Sequence, residues 1–118
     1  MIELSDSQHA QLHARLKVIR TELQETLRVT AEHAGTVHLD QTAVGRLSRV
    51  DALQAQQMAA EQRRRSELRL RSVHNALRRV EDEVYGDCMS CGEPMEFARL
   101  TAQPEAPLCM SCSERRGW

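Results

Sequence analysis

The feature that most constrains this chain is a pair of C-x2-C knuckles, Cys88-Met-Ser-Cys91 and Cys109-Met-Ser-Cys112, separated by seventeen residues. Each pair can form a turn with both thiolates facing one point, and two such turns complete a tetrahedron around zinc. Gly92, directly after the first pair, suits a knuckle that needs positive φ. Cys88, Cys91, Cys109 and Cys112 are therefore read as the ligands of one structural Zn2+. A redox dithiol would use one such pair within a βαβ pattern, and none surrounds these cysteines. A rubredoxin-type iron site would use similar ligands, and zinc is the default. No fifth ligand or open position is evident. His9, His13, His33, His38 and His74 all precede the knuckles by at least fourteen residues. A closed four-thiolate site is structural, so no enzyme is expected. The insert is too short for a core of its own, so metal binding should supply much of the module's folding energy.

The rest of the chain reads as helix. Residues 1–84 are rich in Ala, Leu, Gln, Glu and Arg, and the aromatics Tyr85, Phe97 and Trp118 all lie later. Leu12, Leu16, Ile19, Leu23 and Leu27 fall on one stripe of a helix from Ser5 to about Ala34. Ser5 or Asp6 can cap its start, and Gly35 stands where its end would want a left-handed residue. Residues 35–47 are read as a tip, with Asp40, or Ser48 with Asp51, starting the next helix. That second helix runs to about Val84. Leu70, Val73, Leu77, Val80 and Val84 give it a strict heptad, and Leu47, Val50 and Met58 suggest a related stripe earlier. Ala55, Ala59, Gln62, Arg63 and Ser66 lie between, packed closely or loosely held.

Two long helices joined by a short loop should fold back on each other. The expected fold is mainly α: an antiparallel coiled-coil hairpin over residues 1–84, then a four-cysteine zinc-finger domain over 85–118. Pairing of the same stripes between two chains is the alternative to the hairpin. The formal charge of −1, from 16 basic and 17 acidic residues, offers no general field for nucleic acid. Sequence-specific DNA binding is not expected. The N-terminus lacks the basic and apolar regions of a signal peptide, and no apolar run reaches membrane-spanning length. A cytoplasmic location, with reduced thiols and no membrane partner, is expected. Arg63, Arg64, Arg65, Arg69, Arg71, Arg78 and Arg79 make the second helix basic. They read as a solvated face with Glu61, Glu67 and Glu81 as helix-spaced partners, or as a match to an acidic surface or nucleic acid.

Val80 to Cys88 (VEDEVYGDC) and Ala98 to Pro104 with Leu108-Cys109 resemble the DksA/TraR family of bacterial transcription factors. The likeness includes the cysteine spacing, an aromatic-Gly step before the first cysteine, an Arg-Leu-x-Ala-x-Pro run and a preceding heptad helix. It covers roughly residues 40 to 113. The resemblance implies a regulator that binds RNA polymerase directly. Its hairpin would enter the secondary channel and alter open-complex stability, while the zinc domain sits near the rim. The family's acidic tip motif, D-x-x-D-x-A, aligns with Gly45 to Val50, which holds no acid. The expected tip residues are therefore Asp40, Gln41, Thr42 and Arg46, with Asp51 second. Guanosine tetraphosphate acts with well-known members beside basic side chains. Arg65 and Arg99 match such positions and are candidate polymerase or effector contacts. Ser72, Gln103 and Ser113 stand where further basic residues would be, which argues against a nucleotide response. A monomer suits channel insertion. Two other functions compete for the same residues: a zinc-ribbon nucleic-acid-binding module, and a thiol-based redox or zinc sensor.

Overall fold

The computed structural model describes residues 3–36 and 46–117. Four helices follow in order: α1 (Asp6–Thr36), α2 (Arg46–Glu81), α3 (Phe97–Ala102) and α4 (Met110–Arg116). Among the described residues there is no strand, only an isolated antiparallel bridge between Asp87 and Pro94.

The start of α1 is a reciprocal capping box. The Gln8 N–H donates to Ser5 Oγ at 3.1 Å, and the Ser5 N–H donates to Gln8 Oε1 at 3.0 Å. Ser5, not Asp6, is thus the cap, and Asp6 lies in the first turn beside the helix's positive end. Gly35 does not end the helix, which continues to Thr36. One glycine inside a long helix costs only about 1 kcal/mol against alanine, too little to stop it. Asp40, Gln41 and Thr42 lie outside the described residues, and Arg46 opens α2.

α2 ends earlier than the heptad suggests. After Glu81 the chain makes a Schellman turn: the Glu83 N–H donates to the Val80 carbonyl at 3.2 Å, and the Val84 N–H to Arg79 at 2.9 Å. Glu83 supplies the left-handed residue with φ of 60°, a role glycine usually fills. Val84 therefore leaves the stripe and is 45% exposed.

The hairpin packs as expected at its base. Leu12, Leu16 and Ile19 of α1 are buried with Val73, Ala76 and Leu77 of α2. The earlier stripe of α2 does not pack: Val50 and Met58 are exposed, as is Leu53. Midway, a groove of about 510 Å³ separates Leu27 and Thr30 from Ala59, Gln62 and Ser66. Small and polar side chains line most of the groove, with Arg63 and Arg65 along its α2 side. The core sits at the other end, where Tyr85, Cys88, Met95, Leu100, Leu108 and Cys112 join the hairpin residues in one buried cluster. The extents of 64 × 29 × 19 Å describe a long body with its core at one end.

Candidate metal centre and its junction with the hairpin

The Schellman turn delivers Tyr85 and Gly86 to the first knuckle. Gly86 takes φ of 103°, and a Cβ there would stand 3.2 Å from Leu4 Cδ1. Both constraints call for glycine, which explains the aromatic-Gly step. Its carbonyl accepts the Met95 N–H at 2.7 Å, and the Cys88 N–H donates to Glu93 at 2.9 Å. The knuckle closes with the Gly92 N–H donating to the Cys88 carbonyl at 2.9 Å, at φ of 76°. The second pair is held differently. Cys109 precedes α4, and Cys112 lies within its first turn, with the Ser113 N–H donating to the Cys109 carbonyl. The Met89 N–H donates to the Pro107 carbonyl at 2.9 Å and ties the two knuckles together.

The four sulfurs lie within 4.8 Å of one another. Cys91 Sγ and Cys109 Sγ are 3.9 Å apart. The edge of a zinc–thiolate tetrahedron with bonds of about 2.3 Å is about 3.8 Å, so the spacing fits zinc. No disulfide joins them. Among the described residues this is the only group of His, Cys, Asp and Glu able to hold a metal ion.

The thiols also show why a cation is needed. Burial would push Cys88 up, but the N–H groups of Cys109, Cys91 and Ser90 outweigh it and hold the thiol down at about 6. Cys91 goes the other way. The Glu93 N–H favours its thiolate, yet Cys88, burial and the remaining two cysteines push it up to about 11. Burial acts against the Cys112 thiolate too, and Cys109 with Arg115 lowers it. Arg115 Nη2 donates to Cys112 Sγ at 3.1 Å. Four sulfurs this close cannot all ionise without a positive charge among them. A divalent ion removes that conflict, and the donor set is the soft one that zinc takes.

The module is fastened to the hairpin by polar contacts that periodicity does not reveal. Tyr85 Oη donates to the Pro104 carbonyl at 2.8 Å. Its ring meets His9 edge-on, the centroids 6.3 Å apart, so His9 packs against the junction. Arg69 Nε donates to Glu105 Oε2 at 2.9 Å, and Glu105 is only 4% exposed. Arg79 is 8% exposed, and its Nε and Nη2 are buried without partners, as is Glu105 Oε1. Burial disfavours the Arg79 cation, opposed by Tyr85. Arg69 and Ser72 of α2 thus meet the finger at Glu105 and Gln103, while Ala76 and Arg79, one and two turns further on, are buried.

The candidate contact residues are dispersed. Arg65 is exposed and 3.4 Å from Glu61. Arg99 is half-buried, and its Nε and Nη2 donate to the Leu108 carbonyl at 3.3 and 3.2 Å, a clamp between α3 and the second knuckle. Ser72 and Gln103 meet Arg69 and Glu105 at one notch of about 340 Å³. The cation in that notch is already paired with Glu105. Ser113 is buried on α4, and Asp51 is exposed near the start of α2.

Comparison with known proteins places this architecture. The family described as prokaryotic dksA/traR C4-type zinc finger matches residues 84–116. The RNA polymerase-binding transcription factor DksA of Escherichia coli (strain K12) is 30% identical over 112 residues, covering 92% of this chain and 71% of that protein. This chain belongs to the DksA/TraR family. A DksA of Caulobacter vibrioides (strain NA1000 / CB15N) is 49% identical over 43 residues, 36% of this chain and 30% of that protein. The solved structure of transcription factor DksA2 from Pseudomonas aeruginosa shares the fold, with a TM-score of 0.78, 23% identity, and coverage of 96% of this chain and 85% of that one. As a DksA/TraR zinc finger, the four-cysteine cluster holds one structural zinc ion. No helix among the described residues is long and apolar enough to cross a membrane.

Proposed function

We propose that this chain is a non-enzymatic transcription regulator that binds RNA polymerase directly. It inserts the far end of its hairpin into the secondary channel and changes open-complex stability. The observation that carries this reading is the shape: a slender hairpin projects from a zinc finger that holds its base. The relatives named as RNA polymerase-binding factors support the partner. The finger rests near the rim, and Asp40 acts at the tip with Gln41, Thr42 and Arg46, or Asp51 in its place.

A zinc-ribbon nucleic-acid binder is less well supported. Of the finger's few cations, Arg99 is committed to the Leu108 carbonyl and Arg115 to Cys112. A guanosine tetraphosphate response is not part of the proposal, because Ser72, Gln103 and Ser113 offer no cation.

The test is binding of the zinc-loaded protein to core RNA polymerase, with open-complex lifetime measured alongside. Asp40→Ala should still bind polymerase and lose most of the effect on lifetime. An effect retained in full would move the tip to Asp51. Absence of wild-type binding would sink the proposal.

A further inference from the structure

α2 packs Val73, Leu77 and Val80 into the shared apolar cluster, buries Ala76 and Arg79 beside them, and meets the finger through Ser72 and the half-exposed Arg69. The remaining face is left to solvent. Along it Arg64, Arg71 and Arg78 recur every seven residues, all exposed. A seven-residue repeat drifts by only about 20° per step, so the three lie in one line, about 21 Å long at about 1.5 Å per residue.

Of the six arginines Arg63, Arg64, Arg65, Arg69, Arg71 and Arg78, four have carboxylate partners. Arg64 and Arg65 reach Glu61, Arg63 reaches Glu67 at 3.3 Å, and Arg69 reaches Glu105. Arg71 and Arg78 have none within ion-pair distance among the described residues. Glu67 is engaged one turn before Arg71, while Glu81 and Asp82, one turn after Arg78, do not reach it. The two unneutralised cations thus fall on a face of α2 that none of the described residues covers. Between Arg64 and Arg71, at the edge of that face where it meets the Gln103–Glu105 notch, stands Leu68, 44% exposed.

We infer that this outward face of α2, centred on Arg71 and Arg78 with Leu68 beside them, docks against an acidic protein surface. The inference rests on the reading that RNA polymerase is the partner, and it assigns the face that meets it. The surface carries carboxylates about 10 Å apart, the rise of seven helical residues, and an apolar contact for Leu68. Arginine suits this role because its planar fork pairs a carboxylate through two hydrogen bonds. Nucleic acid fits less well. Two free cations are few beside the six to ten or so phosphate contacts of a strong duplex binder. α2 also has no Phe, Tyr or Trp on which a base could stack.

The experiment compares wild type, Arg71→Glu/Arg78→Glu and Arg71→Gln/Arg78→Gln for binding to core RNA polymerase between low and moderate salt. Both side chains are exposed, so unchanged helicity and zinc content serve as the folding control. Charge reversal should weaken binding about tenfold or more at low salt, chiefly through slower association, and flatten its salt dependence. The glutamine variant should fall between. Variants that bind like wild type at every salt concentration would overturn the inference and leave the proposed function standing. Wild type that fails to bind polymerase would remove both. Arginine-dependent binding to a single-stranded or duplex oligonucleotide under the same conditions, without polymerase dependence on these residues, would reassign the face to nucleic acid.

Discussion

Tyr85 shows how one side chain joins the two parts of the molecule. Burial pushes its hydroxyl up to about 12, with Arg79 opposing and Glu105 adding to the shift. The folded protein therefore keeps a proton that the unfolded chain loses near pH 10. Stability should hold below that pH and decline as the pH climbs from about 10 to about 12, by about 1–2 kcal/mol once solvent screening is allowed for. Tyr85→Phe gives up the bond to Pro104, worth about 1 kcal/mol, but should flatten this decline. Thermal melts from pH 9 to 12 check it, and the absorbance of the only tyrosine reports its ionisation directly. Equal slopes for the two proteins would mean that another group governs alkaline unfolding. At this scale the sequence was legible where a residue type has one role. The four cysteines and Gly92 stand where their spacing demanded. Glu83 was not legible, because a carboxylic acid in a left-handed turn carries none of the usual marks of a helix end, and the heptad ran through it to Val84.

Among the elements, the hairpin base and the finger depend on one buried cluster. Cys88, Met95, Leu100 and Leu108 pack with Leu12, Leu16 and Val73. Removing zinc with a chelator should therefore unfold the finger and also lower the melting temperature of the helices. Cys91→Ser should weaken zinc binding by more than the roughly 10–100-fold typical of an outer-shell change. Zinc titration and circular dichroism measure both effects. Helices that melt at the same temperature with and without zinc would show that the hairpin stands alone. The two helices and their seam were readable from apolar spacing near the base. The distal stripe of Val50 and Met58 was not a seam, since apolar residues at helical spacing bury only where a partner face meets them. The contact with the finger escaped for the opposite reason: Arg69, Ser72 and Arg79 look like surface, yet Arg79 is buried and Arg69 pairs with the buried Glu105.

For the whole molecule, the radius of gyration is 19.2 Å. A compact chain of this length would be near 13–14 Å. Small-angle scattering of the zinc-loaded protein should give a value close to 19 Å at a monomer's mass. A doubled mass would favour pairing of stripes between chains. This extended outline was legible in outline only: helix lengths set the reach, while the position of the core at one end follows from where large apolar residues and the finger meet.

That end-loaded core makes the hairpin a cantilever. Its clamp is the cluster of Tyr85, Arg69–Glu105 and the shared apolar residues, and its span begins at the groove beside Leu27. In such a beam a slight rotation at the clamp becomes a large sweep at the free end. Substitutions at the clamp should therefore change where the free end points before they change whether the protein folds.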